Sequence, residues 1–191
     1  MAATVVLLRG EDHGMELLMV RRNPAARFMG GHWVFPGGAV DAADGEGQAG
    51  LQAAGVRELL EETGLRPDAA QPLIPLARWI TPKQAPIRFD TWFYLARAEA
   101  DATPEVDGTE LVDFCWITPM RALQRAAAGE LKLAFPTERQ LERLAGFDSV
   151  AGLMADTLAR VEQIRPIEPI MIGTGPDARI VLPDDVAGEI Q

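Results

Sequence analysis

Three glutamates crowd one short stretch of the chain, Arg57-Glu58-Leu59-Leu60-Glu61-Glu62-Thr63-Gly64-Leu65. The apolar periodicity predicts a helix over Leu51–Thr63, stopped by Gly64 and followed by Pro67. At about 100° per residue, Ala53, Val56, Leu59 and Leu60 fall within roughly 60° of one line and read as the core-facing stripe. Glu58, Glu61 and Glu62 fall roughly 140–240° from Val56, on the opposite face. Arg57 precedes Glu61 by one turn and can pair with it and orient it. Carboxylates spaced i, i+3 and i+4 destabilise a helix by about 0.2–0.5 kcal/mol per pair. They also occupy the last turn, where the helix dipole favours cations. Lysine would remove both penalties. Most acidic clusters are solvated faces, but a hard divalent cation would resolve this conflict. Mg²⁺ commonly takes one or two carboxylates together with phosphate oxygens and waters.

These nine residues resemble the second half of the Nudix signature, which runs Gly, five residues, Glu, seven residues, Arg-Glu-U-x-Glu-Glu-x-Gly-U, with U aliphatic. Arg57, Glu58, Leu59, Glu61, Glu62, Gly64 and Leu65 match every specified position of that half, and Pro36-Gly37-Gly38 resembles the turn that leads into it. The resemblance implies Mg²⁺ or Mn²⁺ held by Glu58, Glu61 and Glu62, with a backbone carbonyl near Gly38 assisting. It implies catalytic roles for Arg57 and Glu61, and a small-molecule diphosphate substrate lying along Gly37 and Gly38. The implied fold is α+β, a mixed β-sheet sandwiched between helices (α/β/α), with a helical C-terminal extension, all in a single domain over residues 1–191.

The first half of the signature departs. Gly38 and Arg57 stand nineteen positions apart where the family has fourteen, so about five residues are inserted. Ala49 occupies the position of the first glutamate. Asp41, Asp44 and Glu46, in the enlarged connection, are candidates to replace it. Such an insertion resembles a subgroup that includes coenzyme A diphosphatases. That subgroup carries, upstream, Arg-(Ser/Ala)-x-x-x-Arg-x-x-x-Gly-x-x-x-Phe-Pro-Gly-Gly. Here Arg22, Arg27, Gly31 and Phe35-Pro36-Gly37-Gly38 stand at that spacing, and only Asn23 departs. Arginine suits phosphate because its planar fork binds two oxygens at once. The implied reaction is hydrolysis of the diphosphate of coenzyme A or an acyl ester. ADP-ribose, dinucleotides and nucleotide sugars are alternative substrates, and a non-catalytic nucleotide-binding module is an alternative class.

Weaker candidates surround this set. Glu105, Asp107 and Glu110 lie between two strands, where some relatives take a catalytic base. Trp79 and Phe89 flank a loop and could line an acyl or base pocket, although buried sheet aromatics are commoner. His13 and His32 fit no zinc spacing. Gly173-Thr174-Gly175 is too short for a phosphate loop. Cys115, the single cysteine, reads as a buried strand residue; it excludes an internal disulfide and a cysteine-rich zinc site.

A formal net charge of −10 speaks against a nucleic-acid partner, whose phosphates require a basic surface. No apolar run reaches the roughly 20 residues of a membrane span, and no targeting signal is recognised. A cytoplasmic monomer or homodimer is expected.

The elements that must position the acids follow from pattern. Thr4–Leu8 and Leu17–Arg22 read as a hairpin, Asn23–Gly31 as a loop, Trp33–Phe35 as a short strand and Asp41–Gly50 as a loop. Strands are predicted at Leu73–Ile80, Phe89–Ala96 and Leu111–Ile117. Thr118-Pro119 opens a helix to about Ala128, Thr137 with Gln140 resembles a capping box opening a second, and Ser149–Ile164 reads as a third. Pro166–Ile172 and Arg179–Leu182 read as a closing strand pair.

Overall fold

The structure is a computed structural model that describes residues 1–11, 14–99, 101–173 and 178–186. Its axis is β1 (Ala2–Arg9), whose residues are almost all buried because both faces are covered. Val6 and Leu8 join one apolar cluster, and Val5 and Leu7 join the other. The same period of two divides β2 (Glu16–Arg22), with Leu17 and Met19 on the first face and Leu18 and Val20 on the second.

Helices cover both faces, as the α/β/α expectation requires. α1 (Gly47–Thr63) places Leu59 against Val5, Leu7, Leu18 and Val20. On the other face lie α2 (Pro119–Ala127), α3 (Phe135–Leu144) and α4 (Val150–Ala159). They bring Ala122, Leu141, Leu144, Val150 and Leu153 to Val6, Leu8 and Met19. No helix of the described residues is long and apolar enough to cross a membrane.

The sheet forks at β1. On one edge, β1 runs parallel to β6 (Asp90–Arg97), which pairs antiparallel with β5 (Ile74–Ile80). On its other edge β1 has two successive partners. Leu8 and Arg9 pair with Leu17 and Glu16 of β2, and Ala2–Thr4 pair with β4 (Gly37–Ala39). β2 diverges to pair with β3 (Trp33–Val34) and β7 (Leu111–Ile117). The segment Phe35-Pro36-Gly37-Gly38 runs into this fork, where Val5 N–H donates to the Pro36 carbonyl at 2.9 Å.

Several expectations are corrected. The hairpin pairs only near its turn, at Leu8–Leu17 and Arg9–Glu16, and β4 takes the far end of that edge of β1, at Ala2–Thr4. Asp41–Gly50 is ordered rather than an open loop: Ala42–Asp44 forms a 3₁₀ turn and α1 starts at Gly47. The Tyr94 hydroxyl donates to Gln48 Oε1 at 2.7 Å and ties that first helical turn to the sheet. α3 starts at Phe135 with Pro136 in its first turn, and Thr137 and Gln140 are buried rather than capping. Ser149 does cap α4, accepting from Gly152 N–H, but the helix ends at Ala159 and a 3₁₀ turn, Val161–Gln163, follows. Of the closing pair, only β9 (Ile170–Ile172) meets β10 (Arg179–Val181). β8 (Pro166–Ile167) instead joins the edge of β5, across the break at Pro169, which has no N–H to donate. His13 and Thr174-Gly175 lie outside the described residues.

The most consequential correction is the rotation of α1. Its buried residues include Leu51, Ala54, Gly55, Leu59 and Glu62, whereas Ala53 is exposed and Val56 and Leu60 are only partly covered. The helix approaches β1 along its smallest residues. A Cβ on Gly55 would stand 3.1 Å from Val5 Cγ2 and 3.6 Å from Ala3 Cβ. Glu62, two turns beyond Gly55, therefore faces the sheet instead of solvent. Gly55→Val should overpack this contact and lower stability by about 1–3 kcal/mol, or roughly 2–4 °C in Tm per kcal/mol. Ala53→Glu, on the exposed face, should stay within about 0.5 kcal/mol. Equal thermal unfolding of the two variants would contradict this packing.

Candidate active site

Two glycines make room for two carboxylates. Gly37 has φ +153°, and a Cβ there would lie 2.3 Å from the Ala3 carbonyl oxygen and 2.6 Å from Thr4 Cα. Only glycine lets β4 lie this close to β1. The Gly37 N–H, so placed, donates to Glu62 Oε2 at 2.8 Å. At Gly38 a Cβ would meet the Glu58 carboxyl atoms at 2.4–2.6 Å, so this carboxylate lies directly against the Gly38 backbone.

Burial sets the electrostatics. Glu62 is 9% exposed, and its carboxyl is pushed up to about 8, chiefly by desolvation. The Gly37 N–H opposes the shift, while the charges of Glu58 and Glu110 add to it. Glu58 is also raised, first by burial and then by Glu61 and Glu110, against the pull of Arg57. Glu110 thus belongs to the same electrostatic cluster. It lies just before β7, where Arg22 Nη2 contacts its Oε1 at 3.1 Å.

Arg57 organises the other side. Its Nη1 donates to Glu58 Oε1 at 2.9 Å and to Glu61 Oε2 at 3.0 Å. Nε and Nη2 grip Asp44 at 3.0 and 2.9 Å, and Nη2 also reaches the Ala39 carbonyl at 3.0 Å. The guanidinium holds the Asp44 carboxyl below its ordinary range, and these carboxylates raise Arg57 further above its own.

The expected residues therefore divide. Glu58 and Glu62 meet at Gly37–Gly38, with Glu110 facing them electrostatically. Glu61 is exposed and turned to Arg57, and among the described residues no three acidic, histidine or cysteine side chains form a preassembled metal shell. Of the acids in the enlarged connection, Asp44 enters the site, as the partner of Arg57; Asp41 is 3.8 Å from Arg57 Nη2, and Glu46 and Ala49 are exposed. Asp107 closes a turn, accepting from the backbone N–H groups of Thr109, Glu110 and Leu111, and Glu105 is exposed. Arg22 reaches the cluster through Glu110, while Arg27 is exposed on the loop that follows β2. His32 contributes its carbonyl to Arg22 N–H, and the half-covered Cys115 thiol is pushed up to about 11 by burial, far from a nucleophile's range. The role of Asp44 as an arginine anchor left no sequence signal, because the inserted segment has no periodicity from which to place it.

The donor set is oxygen throughout: partly buried carboxylates that repel one another, beside a glycine backbone. It fits a hard cation such as Mg²⁺ or Mn²⁺ rather than a thiolate metal. The family model of the NUDIX domain matches residues 1–136. The chain belongs to the Nudix family. It is 30% identical over 162 residues to the putative nudix hydrolase 7 of Caenorhabditis elegans, a match covering 67% of this chain and 55% of that protein, so the chain spans about half that relative's length. A solved NUDIX hydrolase from Alicyclobacillus acidocaldarius superposes with a TM-score of 0.72 at 27% identity, covering 81% of this chain and 94% of that one. A MutT NUDIX hydrolase from Burkholderia pseudomallei shares the fold at TM-score 0.56 and 22% identity, over 74% of this chain and 94% of that one.

The buried Glu62 yields a stability test. Its folded carboxyl at about 8 lies above the ordinary 4.5, so folding favours the protonated form. The Glu62 contribution to metal-free stability is then most favourable below about pH 4.5 and is lost as pH rises towards 8. Glu62→Gln keeps an oxygen for the Gly37 N–H and removes the charge. In chelator its Tm should exceed that of the native protein at pH 8, by a margin that vanishes near pH 4.5. A margin independent of pH would show that Glu62 is not electrostatically penalised.

Proposed function

We propose that this Nudix protein hydrolyses the diphosphate bond of a nucleoside diphosphate joined to another moiety, with coenzyme A and its acyl esters as preferred substrates. The observation that carries this reading is the pairing of buried Glu58 and Glu62 against Gly37–Gly38, with Glu110 facing them. Residues 1–191 act as one unit, with the region from about residue 119 packed on the catalytic sheet. Glu58 and Glu62 would hold Mg²⁺ or Mn²⁺, assisted by the Gly38 carbonyl and Glu61. A cation held there would supply neutralisation of the diphosphate and polarisation of water.

Each residue then has a task. Arg57 opposes the upward shift that burial imposes on Glu58 and would fix its orientation against Gly38. Glu110, held by Arg22, accepts the proton of the attacking water at a carboxylate oxygen. A bond forms from the water oxygen to one phosphorus, and the anhydride bond to the bridging oxygen breaks, releasing the other phosphate. Coenzyme A would give 3′,5′-ADP and 4′-phosphopantetheine. Exposed Arg27 would grip the phosphate remote from the scissile bond, as the resemblance of the Arg22–Gly38 segment to the coenzyme A subgroup implies.

The test is a panel of coenzyme A, 3′-dephospho-coenzyme A and ADP-ribose with each metal, read by product mass. Coenzyme A should turn over fastest. Arg27→Ala should erase its advantage over the dephospho form while sparing ADP-ribose hydrolysis. Glu110→Gln should lower kcat on every substrate about 10²-fold or more. Equal native rates on the two coenzyme A forms would leave only the general diphosphatase reading. Tight binding without turnover anywhere would leave a binding module.

A further inference from the structure

On the face of the sheet opposite α1, a cavity of about 250 Å³ opens between the loop after β2 and the chain's last strands. Phe28 and Met29 form one wall, Trp79 and Ile87 another, and Met171 of β9 and Ile180 of β10 close it. We propose that this cavity binds an aliphatic chain carried by the diphosphate substrate, and that β9 and β10 exist in part to build it. The proposal rests on the diphosphate-ester reading above and adds which substituent the enzyme selects.

Four observations support an aliphatic occupant. First, among the described residues no charged side chain lines the cavity, and the hydroxyls that line it are those of Thr81 and Thr91. The Thr81 hydroxyl is already engaged, accepting from Phe89 N–H at 3.0 Å and lying 3.3 Å from the Phe89 carbonyl. A nucleobase would leave the polar groups of its edge unmatched here, which is costly, whereas a hydrocarbon would not.

Second, large apolar side chains are exposed around this opening. Phe28 (41%), Ile87 (52%) and Ile180 (37%) line it, and Phe89 (38%) stacks obliquely on Phe28 with ring centroids 5.6 Å apart. Exposed apolar groups gathered at a concavity mark a surface that is covered in use.

Third, the cavity lies within reach of the site. Thr91 on its wall pairs with Ala2, and Ala2 pairs with Ala39, next to Gly38. Two interstrand spacings of about 4.8 Å put the wall roughly 10 Å from the glycine turn, and Phe28 directly follows Arg27 in the chain. Met29, the one described non-glycine residue in the left-handed region (φ +51°), turns the backbone at this wall.

Fourth, Met171 and Ile180 lie beyond the 1–136 family match. The wall is therefore an addition to the common domain. Its volume corresponds to on the order of eight water-sized groups of roughly 30 Å³, the bulk of a medium-length chain.

Affinity is measured by calorimetry in chelator, so that turnover plays no part, on two probe pairs: octanoyl- against acetyl-coenzyme A, and octyl against ethyl diphosphate. The longer member of each pair should bind at least tenfold more tightly. Ile87→Asp and Ile180→Asp, both at partly exposed positions the fold should tolerate, should bring octanoyl-coenzyme A down to the acetyl level and leave acetyl-coenzyme A unchanged. If neither coenzyme A ester binds but octyl diphosphate still outbinds ethyl diphosphate, the chain pocket stands and the coenzyme A reading falls. No chain-length preference in either pair, or no binding of either long-chain probe, overturns the proposal even if coenzyme A is hydrolysed.

Discussion

The Arg57 guanidinium is the contact on which the site depends. It joins three pieces of backbone through one side chain: the 3₁₀ turn through Asp44, β4 through the Ala39 carbonyl, and α1 through Glu58 and Glu61. Lysine could not replace it, since one ammonium has three donors and no planar fork with which to serve Asp44 from two nitrogens. The acids Arg57 gathers would repel one another if left alone, in a chain already at −10. Its charge offsets part of that repulsion but not the cost of burial, the chief cause of the upward shift in both Glu58 and Glu62. Glu58 and Glu62 remain raised above their ordinary range, and this residual penalty is what a divalent cation would relieve.

The fork in β1 provides the geometry that Arg57 stabilises. Had β2 stayed paired with β1 along its whole length, no edge would remain for Gly37–Ala39. By diverging towards β3 and β7, β2 leaves Ala2–Thr4 free to take β4. The close approach of α1 at Gly55 then brings the helix low enough for Glu62 to reach the Gly37 N–H. Packing and chemistry are thus one constraint: small residues along α1 place a charged group in a partly dry position that bulkier ones would have kept in solvent.

Much of this was legible in the sequence, for local reasons. The acidic helix, its glycine stop and the Arg57–Glu61 pair all follow from a period of 3.6, and the alternating strands follow from a period of two. What failed to show was anything set by tertiary approach. The aliphatic stripe through Val56 and Leu60 looked like the core face because apolar bulk is the usual signal, yet β1 selected the face with Ala54 and Gly55. Glu62 accordingly sits towards the sheet and not beside Glu61. Asp44 and Glu110 reach the site from an aperiodic insertion and from a turn far along the chain, and neither arrangement leaves a local pattern. Pro166–Ile172 reads as one strand because the break at Pro169, which separates β8 from β9, redirects the chain without changing its composition.

The proposed primary cation site is Glu58 with Glu62, and not the exposed Glu61. It is tested most directly by titrating the native protein, Glu58→Gln and Glu61→Gln with Mn²⁺ and following free Mn²⁺ by electron paramagnetic resonance. The account predicts one site in the native protein, weakened at least tenfold by Glu58→Gln and far less by Glu61→Gln. Native affinity in Glu58→Gln, or a greater loss in Glu61→Gln, would contradict it.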